Sequence, residues 1–170
     1  SDAEFYKKLR GLELIDSQTG QAIALAPFPV KSRFLNGNGF IQSDFEPAFA
    51  ANESGVFVAF AGDPIIYQYN WNGDSLRLEK SIALSLPEFG EITGQPLKML
   101  EGVGVSTNMM TASIRKVVSW RDKVLVQFFP GFSTEESLAL SEDYRSGNED
   151  AAKAKTRKLY SERKMGLAVV

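Results

Sequence analysis

Residues 56 to 84 read VFVAFAGDPIIYQYNWNGDSLRLEKSIAL, three apolar runs broken at Gly62-Asp63-Pro64 and again around Asn72-Gly73. In the first run both alternating faces are apolar, Val56, Val58 and Phe60 against Phe57, Ala59 and Ala61. A strand of that kind is covered on both sides and belongs inside a stack of layers. The second run puts Ile65, Tyr67 and Tyr69 on one face and Ile66, Gln68 and Asn70 on the other. The third alternates Leu76, Leu78, Ile82 and Leu84 with Arg77, Glu79, Ser81 and Ala83, the pattern of an edge strand with one wet face. Asn-Gly between alternating runs predicts a hairpin with a type I′ turn. Asp-Pro supplies a side chain that bonds its own backbone and a ring with φ already set. Both breaks therefore read as turns.

The same grammar recurs along the chain. LELIDSQTGQAIAL (12–25) matches the strand, turn and strand of 66–84, with Asp16 aligned to Asn70. FEPAFAANESGVFVAFAG (45–62) matches SIRKVVSWRDKVLVQFFPG (113–131), a strand, a polar turn, an apolar strand and a terminal Gly. Overlapping repeats of a four-stranded unit predict a mainly β chain of propeller-type antiparallel blades, with a β-sandwich as the alternative. Residues 12–25 are then the outer strands of a first blade, 45–84 one full blade, and 86–112 a loop insertion. Residues 113–170 form a third blade carrying a helical insertion at 133–164. Ser133 with Glu136 is a capping box opening the first helix of that insertion, and Asn148 is the expected cap of the second. Residues 133–150 carry six acids and one base, and 151–165 six bases and one acid, which suits a helical hairpin with complementary faces.

Composition removes several chemistries. With 170 residues, 19 basic and 21 acidic, the net charge of −2 offers no field for nucleic acid or an anionic membrane. Cysteine and histidine are both absent, so disulfides, thiolates and imidazole bases or metal ligands are excluded. Any catalysis would rest on carboxylates, Lys, Tyr or Ser. The apolar runs fall far short of the ~20 residues of a spanning helix, and SDAEFYKKLR lacks the apolar core of a secretory signal. Gly102-Val103-Gly104 has neither the Lys-Ser/Thr nor the third Gly of a phosphate loop and reads as plain loop. Asp44, Glu46 and Asp63 are oxygen ligands of the type calcium takes, but without a calcium-loop spacing they read as capping or solvated groups. Met109-Met110 reads as buried filler. Most aromatics fall at strand spacing and read as core, with Trp71 and Trp120 set apart because they flank turns. No cofactor and no metal are expected.

The segment FEPAFAANESGVFVAFAGDPIIYQYN, together with KVLVQFFPG before a charged helical insertion, resembles bacterial six-bladed β-propeller proteins of the TolB-like fold. In particular it resembles a family of unknown function whose members are mostly exported and lipid-anchored. The resemblance implies an extracytoplasmic place, periplasmic or at the cell surface, with a lipid anchor in the full-length protein, and a binding or scaffolding role. It covers about two to three blades, so self-association or further blades of a longer chain are expected as partners. In a propeller the first strand of each blade lines the central channel, which makes Phe45, Glu46, Ser113 and Arg115 the candidate ligand-facing residues. The expected function is a non-catalytic binding or assembly module for a protein, small-molecule or glycan ligand, with no nucleic acid. The alternative is a hydrolase or lactonase that uses carboxylates and a divalent cation at the channel.

Overall fold

The computed structural model describes residues 12–26, 28–90, 92–96, 98 and 111–170. It is mainly β, with three antiparallel sheets in chain order and two helices late in the sequence. The first sheet pairs β1 (Glu13–Ile15) with β2 (Ala22–Leu25). The second is four-stranded, in the order β3 (Pro47–Asn52), β4 (Gly55–Phe60), β5 (Ile65–Trp71) and β6 (Leu76–Ala83). The third orders β7 (Ser113–Trp120), β8 (Lys123–Phe129) and β9 (Gly166–Val169). Between β8 and β9 the chain forms α1 (Thr134–Arg145) and α2 (Glu149–Glu162). Among the described residues no closed propeller is formed.

The two-faced apolar pattern of β4 does what period-two alternation requires. Val58 and Phe60 join Tyr67, Tyr69 and Leu76 in one core, facing Ala26, Phe28, Phe34 and Phe40 from the segment after the first sheet. Phe57, Ala59 and Ile66 face the other way and pack on Ile114, Val117, Val124, Val126 and Phe128 of the third sheet. The central strands β4 and β5 are thus buried on both sides. Its first core is held by aromatic rings, Phe28 stacked on Phe60 at 4.5 Å and Phe34 edge-on to both Phe28 and Phe40. β6 turns Arg77, Glu79 and Lys80 to water, as an edge strand should.

The second break in the opening stretch is a hairpin, but of another kind than expected. Trp71 pairs with Leu76, leaving a four-residue loop. Only Gly73 in that loop has positive φ, at 99°, so a type I′ turn, which needs two such residues, is not formed. The Asn72 side chain instead accepts from the N–H groups of Asp74 and Ser75. In the first hairpin Asp16 accepts from Gln18 and Thr19 in the same way, so its structural counterpart is Asn72, not Asn70.

The helical hairpin follows its sequence signals at one end. Ser133 and Glu136 exchange both capping-box bonds. Asn148 makes no side-chain cap, and the acids Glu149 and Asp150 in the first turn of α2 take over the interaction with its dipole. Leu140 and Ala152 are fully buried, and Tyr160 stacks on Phe129 at 5.2 Å, which ties α2 to the end of β8. Arg163 reaches back to Glu136 and lies over the Phe132 ring.

Two glycines separate conformational from steric cost. Gly73 has open space where a Cβ would stand, whereas at Gly55, φ 129°, a Cβ would run into the Tyr69 carbonyl oxygen of the neighbouring strand. Gly73→Ala should cost about 1–2 kcal/mol through φ alone, and Gly55→Ala measurably more. Urea melts of the two variants check this, and equal losses would contradict the β4–β5 register.

Candidate functional site

The residues expected to face a ligand are brought to one rim. The Ala61 N–H donates to the Glu46 carbonyl at 2.9 Å, and the Ile114 N–H donates to the Ala61 carbonyl at 2.8 Å. This backbone line joins the start of β3, the end of β4 and the start of β7, so Phe45 and Glu46 come beside Ser113 and Arg115. Their side chains then part. The Phe45 ring meets Phe34 edge-on at 6.2 Å and packs on the first core. An aromatic ring next to an apolar layer gains more from burial than from a wet rim. Glu46 and Arg115 are exposed. Ser113 is buried, and among the described residues its Oγ has no hydrogen-bond partner.

Arg115 owes its position to a β-bulge. Ile114 pairs with Phe128 and Lys116 with Gln127, so Arg115 is the extra residue. A bulge re-aims the side chain it carries. The Arg115 guanidinium lies over the Phe129 ring, 5.7 Å from its centroid, beside the Tyr160 that covers the other part of that ring. Trp120 is half exposed with Arg121 over its ring, while Trp71 packs against the first core.

The Gly62-Asp63-Pro64 break is a turn and something more. The Asp63 N–H closes a turn onto the Phe60 carbonyl at 3.0 Å, and the Ile65 N–H bonds the Asp63 carbonyl across Pro64 at 2.7 Å. The Asp63 side chain, however, is fully buried. The Tyr67 hydroxyl donates to Oδ2 at 2.6 Å, and Arg33 Nε stands 3.1 Å from Oδ1 as an ion pair. Arg33 also donates through its Nη1 to the carbonyls of Gly62 and Ile92. Burial pushes the Asp63 carboxyl up, and the Tyr67 hydrogen bond and the Arg33 charge pull it back in part. Burial and the Asp63 acceptor together raise the Tyr67 hydroxyl.

Asp44, Glu46 and Asp63 do not form a cation site. Asp63 is held by Tyr67 and Arg33, Asp44 accepts from the Ile41 N–H at 3.2 Å, and Glu46 lies open to water. Among the described residues no three acidic groups converge as metal ligands would. Gly102, Gly104, Met109 and Met110 lie outside the described residues. Sequence reading missed Arg33 and Tyr67 as partners of Asp63. The available signal was an acid directly after a strand apolar on both faces, a place where a carboxylate must find a partner.

The third sheet has a second feature. On the face turned away from the middle sheet, Lys116, Val118, Leu125, Gln127, Met165, Gly166 and Leu167 line an open groove of about 250 Å³. Val118, Trp120, Leu167 and Val169 are exposed there.

Asp44 generates a pH prediction. Burial raises its carboxyl from the ordinary 3.8 to about 6. Between those values the folded protein holds a proton that the unfolded chain has released, so stability falls as pH rises through that window and levels off above it. Asp63 shifts in the same direction and adds to the slope. Asp44→Asn keeps an acceptor for Ile41 and should be more stable than the parent at neutral pH, with a shallower slope between pH 4 and 6. Chemical melts across pH check this, and an unchanged slope would contradict it.

Comparison of the chain with protein-family models, with curated proteins and with solved structures finds no match in any of the three.

Proposed function

We propose that this chain is a non-catalytic binding and assembly module, a run of propeller-type β-sheets belonging to an exported bacterial protein. Its working surfaces are the open face of the third sheet and the rim that carries Glu46 and Arg115. One observation carries the reading. The two central strands of the middle sheet have both faces covered by neighbouring layers, with Phe49 and Leu78 exposed on its outer strands, whereas the third sheet, of the same antiparallel design, turns Val118, Trp120, Leu167 and Val169 to water on one face. Contiguous exposed apolar side chains on a sheet mark a surface that meets another layer. The cation-dependent hydrolase or lactonase reading gains no support from the carboxylates. Asp63 and Asp44 are engaged with protein donors, Glu46 is exposed, and among the described residues no three acidic groups converge.

Radial packing of one blade on the next is how propellers bury such faces. Light scattering over a dilution series tests the reading. The parent chain should gain mass as concentration rises, and Val118→Asp, which places a charge in the middle of the open face, should suppress that gain. A parent chain that stays monomeric throughout, or a variant that associates as the parent does, would overturn the proposal.

A further inference from the structure

Asn-Gly occurs three times in the chain, at Asn36-Gly37, Asn38-Gly39 and Asn72-Gly73. At each, the backbone nitrogen of the glycine can attack the side-chain amide carbon before it, because no side chain on the glycine crowds the approach and the groups are already adjacent. The fold makes the three unequal, through what it does with the attacking N–H, the amide oxygen and the departing Nδ2. At Asn38 both ends of the reaction are held. The Gly39 N–H donates to the Gln95 carbonyl at 2.7 Å, and Asn38 Nδ2 donates to the Thr93 carbonyl at 2.9 Å. Gly39 is also buried. At Asn36 neither the Gly37 N–H nor Nδ2 has a hydrogen-bond partner among the described residues, and Oδ1 accepts one N–H, that of Asn38, at 2.9 Å.

Asn72 is both open and polarised. Asn72, Gly73 and Asp74 are exposed, and among the described residues neither the Gly73 N–H nor Asn72 Nδ2 has a hydrogen-bond partner. The Asn72 Oδ1 accepts from the N–H groups of Asp74 at 3.2 Å and Ser75 at 2.9 Å and from the Ser75 hydroxyl at 3.3 Å. Attack by the Gly73 nitrogen pushes negative charge onto that oxygen, where donors already in place stabilise it as an oxyanion hole does.

We propose that Asn72 is a self-modifying residue, converted to aspartate and isoaspartate through a succinimide formed with Gly73. Water is the one further reagent. The Gly73 nitrogen bonds to Asn72 Cγ, the Cγ–Nδ2 bond breaks, and Nδ2 leaves as ammonia with the proton that the Gly73 N–H gives up. Water then adds to one of the two ring carbonyls and breaks its bond to the Gly73 nitrogen, leaving a carboxylate. Opening at Cγ gives aspartate, which keeps an oxygen acceptor for Asp74 and Ser75 and adds a negative charge to the turn. Opening at the backbone carbonyl gives isoaspartate, whose main chain is one methylene longer in the loop that joins Trp71 to Leu76. The inference is independent of the assembly reading.

The test keeps the whole chain in mildly alkaline buffer, either folded or in concentrated urea, and then digests it. Mass spectrometry follows the amide-to-acid conversion at each Asn-Gly, with peptide fragmentation separating Asn36 from Asn38. In the folded chain Asn72 should convert fastest, and Asn38 about tenfold or more slowly than Asn72, because the Gly39 N–H and Asn38 Nδ2 must first leave their partners. In urea the three rates should converge, since the dipeptide is the same and the fold no longer sorts them. Asn72→Gln, whose longer side chain does not close the five-membered ring, should stay an amide at this position while Asn36 converts as in the parent. Asn36 or Asn38 overtaking Asn72 in the folded chain, no conversion at Asn72, or the folded-state spread of rates persisting in urea overturns the inference.

Discussion

A carboxylate with no exposed surface is costly unless its oxygens are engaged, and Asp63 is placed where that condition shapes everything around it. It sits at the point where β4 becomes β5, the two strands at the centre of the stack. Tyr67 answers it from within the sheet, and Arg33 answers it from the 3-10 turn Arg33–Leu35, whose Phe34 is wholly buried among Phe28, Phe40 and Phe60. Through its remaining donors Arg33 also holds the carbonyls of Gly62 and Ile92. Asp63 and its arginine thus tie the 3-10 turn, the sheet and the distant loop at Ile92 together. Hydrophobic burial supplies most of the favourable free energy. The ion pair and its hydrogen bonds join the Arg33 turn to the sheet.

From that arrangement the proposed working surfaces follow. Fixing the first core on one face of the middle sheet leaves the other face for the third sheet, through Phe57, Ala59 and Ile66. The third sheet then has one covered face and one open one. Phe132 and Tyr160 cover the end of the open face near Phe129, which leaves the groove between Lys116 and Leu167 free. The bulge at Arg115 lifts a cation onto the rim beside that aromatic group. These surfaces offer exposed apolar area and one re-aimed arginine, which suits the binding role proposed above.

Alternation made the layers legible in the sequence. Strands β3 to β6, the hairpin of β7 and β8, and both helices fall inside the expected segments, because period-two and capping signals are local. The turn type at Asn72-Gly73 was not legible, since the choice between two positive φ angles and an Asn side-chain cap is settled by the loop length that the Trp71–Leu76 pairing imposes. Nor was the fate of Phe45, whose neighbours Phe34 and Asp44 belong to a segment with no periodicity of its own. Asp63 was read for its backbone role and not for its side chain. An acid in a turn is ordinarily wet, and only the three-dimensional placement of Arg33, 30 positions earlier, makes its burial tolerable.

The claim that Asp63 is the structural pin of the stack can be measured directly. A double-mutant cycle of Asp63→Asn and Tyr67→Phe, read by chemical denaturation at neutral pH, isolates their interaction from the cost of each change. A coupling of about 1–3 kcal/mol is predicted, as for a buried hydrogen bond to a charged group. Strictly additive losses, or a Tyr67→Phe variant as stable as the parent, would contradict it.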